Sequence, residues 1–294
     1  HAIAPLGGRM NQHICDIGIC MKHIALQRLP SIPLWCLKSG TFNFDLQLLG
    51  KKSEVPPYVF ISKYNELVSN HENYTRFFTD GSKYDTKVAA AAVCEDTVSA
   101  RRLPDNSTIF SAEIHAINLA LNLIKNRHGD KFMIFSDSVS SLIAVKNRLW
   151  SNPLVLETLE KIHDLIAHGK SVVFVWLPSH VGIKGNTDAD TAAKAALAAS
   201  PDNISVPHCD FRQHTHQYFK SKRQSIWDSQ IDNELHKIKP NIGITYFGNQ
   251  LDRRKEQILH RLRIGHTYLT HAFLLKRENT PLCATCNCPL TVEH

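Results

Sequence analysis

The chain has 294 residues, 43% of them hydrophobic and 21% charged, with a formal net charge of +7. That composition supports a packed core and excludes global disorder. No apolar run approaches the roughly 18 residues of a membrane-crossing helix, and no secretory signal is visible in a chain that begins with His1.

The eight cysteines are scattered except for Cys283, Cys286 and Cys288, a distribution that fits a reducing, intracellular compartment rather than a disulfide framework. The charge is unevenly spread. Residues 76–199 hold 14 Lys/Arg against 13 Asp/Glu, residues 1–75 hold 7 against 5, and residues 200–294 hold 13 against 9. The basic surplus therefore lies in the flanks, where it suits phosphate backbones.

In chain order, residues 1–73 carry no motif and are broken by Pro30, Pro33, Pro56 and Pro57. They read as an irregular N-terminal remnant and linker, with a short helix over Phe60–Val68. Arg76–Asp80 (R-F-F-T-D) reads as a buried strand stopping on a carboxylate, with a turn over Gly81–Asp85. Val88–Val93 is a second strand. Thr97–Ala100 and Ser107–Phe110 bracket a third strand region, completing an antiparallel meander.

The period then changes. Ser111–Arg127 is helical, with Ile114, Ile117, Leu121 and Ile124 at three- and four-residue spacing, and Glu113 shares their face. Lys131–Ser136 is a strand ending on Asp137. Ser138 caps the next helix, with Val139, Leu142, Ile143, Leu149 and Trp150 as its inner stripe. Asn152-Pro153 opens another helix with Leu159, Ile162 and Ile166 inward, and Ser171–Trp176 is a fifth strand. A polar loop follows, then an alanine-rich helix on which Asp190, Ala193 and Leu197 share a face.

A meander followed by this helix–strand alternation predicts an α/β fold: a mixed five-stranded sheet flanked by helices. Asp80, Glu113, Asp137 and Asp190 converge in it. Four carboxylates cannot share a site unpaired, because repulsion and burial would protonate some of them. Hard divalent cations resolve the conflict, and all-oxygen ligation suits Mg²⁺.

The segments F-T-D-G-S-K, S-A-E-I-H-A-I, F-S-D-S and S-H-V-G-I-K-G-N-T-D-A-D occur in that order between residues 74 and 199. They resemble the four signature segments of type 1 ribonuclease H, in the form found in non-LTR retrotransposon polyproteins. The resemblance implies an RNase H-like fold over 74–199 and a metal-dependent endonuclease that cuts the RNA strand of RNA–DNA hybrids. It implies two Mg²⁺ ions, or Mn²⁺, held by Asp80, Glu113, Asp137 and Asp190, with His180 assisting proton transfer. Gly81, Ser82, Asn118 and Asn186 are the candidate hybrid contacts, Asn118 being placed on a more exposed side of its helix. Asp188 matches a variable place in the pattern, so Asp190 is taken as the fourth carboxylate.

The chain departs from the family pattern at Thr187, where glutamate is usual, and in a glycine-free strand over Val88–Val93. It also lacks the basic protrusion that bacterial relatives insert after the helix ending near Trp150. Residues 200–294 read as a linker and a mainly helical basic tail. That tail resembles the knuckle-bearing end of the retroelement polyproteins, which offers Cys283, Cys286 and His294 as zinc ligands with water or Cys288 as the fourth, a strained structural site; the favoured reading is an incomplete, metal-free remnant of that knuckle. The competing reading is a decayed retroelement fragment that grips nucleic acid without cutting it.

Overall fold

The computed structural model describes residues 14–95, 97–231, 233, 235–236, 239–243 and 252–292. It resolves into two compact units, residues 1–214 and 215–294. No helix among the described residues is long and apolar enough to cross a membrane.

The strands of the first unit are β1 (Ile24–Ala25), β2 (Thr41–Asn43), β3 (Thr75–Tyr84), β4 (Lys87–Cys94), β5 (Thr97–Arg102), β6 (Lys131–Ser136), β7 (Ser171–Trp176) and β8 (Val206–Pro207). Its helices are α1 (Pro57–Ser69), α2 (Ile109–Lys125), α3 (Val139–Lys146), α4 (Pro153–Ala167) and α5 (Lys184–Ala196). Helix α6 (Arg212–Asp228) leads into the second unit, which holds α7 (Arg253–Ile264) and α8 (Tyr268–Lys276).

The main sheet has six strands in the order β2-β7-β6-β3-β4-β5. β3, β4 and β5 form the antiparallel meander, while β3, β6, β7 and β2 pair in parallel. The sheet is mixed, as expected, with one strand more than the five predicted. The extra strand is β2, from the stretch read as a linker. Its Phe42 stacks on Phe174 of β7 at a centroid distance of 4.9 Å. Leu46, Phe60 and Leu67 from the same stretch are buried in one cluster with Phe78, Phe135 and Val175 of the central strands. The segment over Phe60–Val68 is helical, within α1.

Three local readings are corrected. Gly81–Tyr84 is not a turn but the second half of β3, paired with β4 down to Tyr84↔Lys87. Ser107–Phe110 is not a strand: Thr108 accepts the Ser111 N–H and caps α2, so the chain enters the helix directly. The inner stripe of α3 is Leu142 and Val145, whereas Ile143 is 42% and Leu149 48% exposed. The helix ends at Lys146, and α4 begins at Pro153. The residues beyond Lys146 therefore drop out of phase with the helix.

α2 is held at both ends. The Asp210 carboxylate accepts the Thr108 N–H at 2.9 Å. The Lys170 ammonium donates to the carbonyls of Ile124, Lys125 and Arg127 at 2.6, 3.1 and 2.8 Å, where the helix dipole favours a cation. Fixing this helix matters because it carries Glu113.

Candidate metal centre

The parallel register of β3 and β6 runs from Thr75↔Phe132 to Thr79↔Ser136 and stops there. Asp80 and Asp137 are the next residues on each strand. Two carboxylates are thus delivered side by side where the central pairing ends, the usual place for a ligand site in such sheets. Asp80 remains within β3 through its pairing to Ala91 of β4.

Glu113 arrives from α2 by way of a glycine. A Cβ on Gly81 would lie 3.0 Å from the Glu113 nitrogen and 3.1 Å from its carboxyl carbon. The missing side chain lets the glutamate lie over the strand, and the Gly81 N–H donates to its carboxylate. Ligand oxygens of Asp80, Glu113 and Asp137 all fall within 4.8 Å of one another. Asp80 is 6% exposed and Glu113 7%.

The electrostatics follow from that crowding. Burial, then the charges of Asp137 and Asp190, push Asp80 up to about 7, opposed by the charge of Lys194. Burial, then Asp137 and Asp80, push Glu113 well above the ordinary carboxylate range, and its Oε2 is buried without a hydrogen-bond partner. Asp137 is also raised by burial; a hydrogen bond from Asn186 and the nearby His180 charge work in the opposite direction. An orphaned buried carboxylate oxygen among three converging carboxylates fits a hard, oxygen-seeking cation.

A cation entering this set must displace protons. Its apparent affinity should therefore rise as pH increases through about 7, the value to which Asp80 is pushed. Calorimetric Mn²⁺ titrations at pH 6 and pH 8 check this; equal affinities would exclude a raised carboxylate from the cation site.

Asp190 stands outside the triad. Its Oδ2 accepts from Lys194 Nζ at 2.7 Å, one turn along α5, although its charge still reaches Asp80. Asp188 on the same helix is exposed. His180 is exposed, in the left-handed region at φ 55°, and near enough to Asp137 for its charge to act there. Asn186 is buried in the first turn of α5, with its Oδ1 unpartnered. Ser82 is half-buried on β3. Asn118 is not on an exposed side: it is 1% exposed, and both amide atoms lack partners.

Sequence reading missed Gly185, in the first turn of α5. A Cβ there would fall far inside contact distance of the Phe78 ring, which is stacked on Phe135 at 4.9 Å and cannot easily yield. Gly185→Ala should cost about 1–3 kcal/mol by overpacking and displace Asn186. A thermal melt equal to that of the parent would show that the ring gives way freely. From the sequence Gly185 reads as part of the polar loop, and nothing local marks its packing role.

Among the described residues, the carboxylate triad is the only cluster of three or more His, Cys, Asp or Glu placed to hold a metal. Cys283 and Cys286 lie in a tight turn closed by Cys283 N–H to Cys288 O at 2.8 Å and Asn287 N–H to Cys283 O at 2.9 Å. His294, the expected third zinc ligand, lies outside the described residues.

A mixed sheet with helices packed on it and acidic residues at the end of its central parallel pair defines an α/β protein with an acidic centre placed to hold a metal. Residues 72–198 match the RNase H family. The Gag-Pol polyprotein of bovine immunodeficiency virus (strain R29) is 31% identical over 128 residues, covering 43% of this chain and 8% of the polyprotein. Ribonuclease H1 of Homo sapiens is 27% identical over 113 residues, covering 34% of this chain and 39% of that protein. The chain thus spans well under half the length of these relatives. A solved foamy viral protease–reverse transcriptase in complex with dsDNA aligns with a TM-score of 0.36 and 23% identity, covering 43% of this chain and 96% of that one.

Proposed function

We propose that this chain hydrolyses the RNA strand of RNA–DNA hybrids at the centre formed by Asp80, Glu113 and Asp137. The observation that carries this reading is the convergence of three carboxylates from β3, α2 and the end of β6 within 4.8 Å. Burial and mutual repulsion disfavour their ionised forms without a cation, Glu113 most of all. The kinship of residues 72–198 to the RNase H family supplies the substrate class. The polyprotein relative supports an origin in a retroelement-type polyprotein.

Two divalent cations, Mg²⁺ or Mn²⁺, bound at this centre would polarise a phosphoryl oxygen and lower the pKa of water. Asp80 and Glu113 provide the buried anionic floor of the centre. Asp137 is oriented by the Asn186 amide. Asp190 completes the acidic set once its carboxylate leaves Lys194. His180, exposed beside Asp137, carries a proton to the departing 3′-oxygen, and the products are a 5′-phosphate and a 3′-hydroxyl. Gly81, Ser82 and Asn186 contact the hybrid, whose RNA strand is distinguished by its 2′-hydroxyls.

The test is cleavage of an end-labelled hybrid by the full chain, with Mg²⁺ and with chelator. Cuts confined to the RNA strand and dependent on Mg²⁺ are expected. Tight hybrid binding without cleavage would favour a binding module instead. Within the site, Asp190→Asn should lower turnover about tenfold or more, on the scale of groups that support a metal site. Asp188→Asn should change it less than about twofold, being exposed and about 200° away around the helix. Equal losses in the two variants would remove Asp190 from the site.

A further inference from the structure

The second unit contains a cavity that the chemistry above does not use. On α6, His216, Phe219, Lys220 and Arg223 are spaced to share one helix face. A cavity of about 300 Å³ lies between that face and Ile242 and Gly243. The opposite wall is strapped to the helix. Gln224 Nε2 donates to the Pro240 carbonyl at 2.6 Å, and Gln224 Oε1 accepts the Ile242 N–H at 2.9 Å. Trp227 Nε1 donates to the Lys239 carbonyl at 2.7 Å.

Gly243 lets the lysine lie close to that wall, since a Cβ there would sit 3.1 Å from Lys220 Cε and 3.4 Å from its Nζ. Among the described residues, no carboxylate lines the cavity, and neither Lys220 nor Arg223 makes an ion pair. An ordinary solvated basic face has no wall opposite it. Here two cations that make no ion pair among the described residues, and an imidazole, line a half-open cavity with Phe219, itself 44% exposed.

Cations for a phosphate, with an aromatic face beside them for a base, are the parts of a single-strand site. The size of the cavity suits one nucleotide rather than the breadth of a duplex. We propose that this cavity binds single-stranded nucleic acid, a phosphate resting on Lys220 and Arg223 and its base stacking on Phe219 against Ile242. The choice of a nucleic-acid ligand rests on the proposed function; the site itself requires no cleavage.

The experiment uses the full chain carrying Asp80→Asn, in chelator, with fluorescence anisotropy of labelled oligothymidylate and oligouridylate over a range of salt concentrations. Lys220→Ala/Arg223→Ala should weaken binding about tenfold or more and flatten the slope of log affinity against log salt by about 0.7, the share of one single-strand phosphate contact. Phe219→Ala should weaken binding about fivefold or more and leave the slope unchanged, because stacking releases no counterions. The exposed Lys51→Ala/Lys52→Ala pair serves as the control for loss of charge alone. Apart from Asp80 in the shared background, the substituted side chains are exposed, and circular dichroism checks that the helix survives.

If Phe219→Ala binds like its parent, or the α6 double variant behaves like the Lys51/Lys52 control, the proposal is overturned. A separate hybrid-cleavage assay on the chain with Asp80 intact keeps the two readings apart. Absent cleavage with these binding differences present would remove the nuclease and leave this site standing. Cleavage without the differences would remove this site alone.

Discussion

Asp80→Asn should abolish hybrid cleavage and, in the same protein, raise the melting temperature of the metal-free form. The first effect follows from removing a central member of the triad. Loss of groups that merely support a metal site costs up to about a hundredfold, so turnover here should fall by at least that factor. The second effect comes from linkage. In the folded chain Asp80 is pushed from an ordinary 3.8 up to about 7. Its protonated form is favoured by folding, so its contribution is fully present below the ordinary value and is lost as pH rises through 7.

Asparagine removes that penalty and part of the strain on Glu113 and Asp137. The gain at pH 8 should be about 1–3 kcal/mol, after allowing for relaxation around the site, or about 3–8 °C for a unit of this size. It should shrink toward pH 4. Melts in chelator at pH 5 and pH 8 measure it. An unchanged or lowered melting temperature at pH 8 would mean that Asp80 is already compensated and that the triad is not waiting for a cation. A substitution that destroys activity while stabilising the fold separates a site residue from a structural one.

The second large effect concerns where the folding unit ends. Residues 74–199 contain all four carboxylates and His180, yet that piece should fail to fold stably. It lacks Leu46, Phe60 and Leu67, all buried against the central strands. It also lacks β2 with its Phe42–Phe174 stack and the Asp210 carboxylate on the N-terminus of α2. Three buried apolar side chains alone account for about 5–9 kcal/mol, comparable with the whole stability of a typical domain, about 5–15 kcal/mol.

A piece spanning 14–214 should melt cooperatively, and 74–199 should show no cooperative transition at 25 °C or above. Circular dichroism melts of the two decide it. If the shorter piece melts within a few degrees of the longer one, the N-terminal packing adds little. Loss of activity in the short piece would then reflect lost support for Glu113 and the sheet edge, since its chemistry is complete.

The strands carrying Asp80 and Asp137, and the helix carrying Glu113, were legible because each is a local pattern. A buried β-run that stops on a carboxylate and an apolar helical face that includes a glutamate can both be read within a short window, and their order along the chain matched one family. What the sequence could not say is whatever depends on residues brought together from afar. Thr41–Asn43 is too short to show alternation, and only pairing with β7 makes it a strand. Helix position put Asn118 on a more exposed side one turn beyond Glu113, but packing around α2 buries it.

Helix phase placed Asp190 inward, where its charge does reach Asp80, but it could not show that Lys194 one turn away holds its carboxylate. The two glycines that shape the site, Gly81 under Glu113 and Gly185 against Phe78, gave no sign of it beyond being glycines. Local periodicity thus determined which carboxylates the chain could offer. Parallel register, close backbone approach and the N-terminal packing decided which of them meet, because those contacts exist only once distant segments have been brought together.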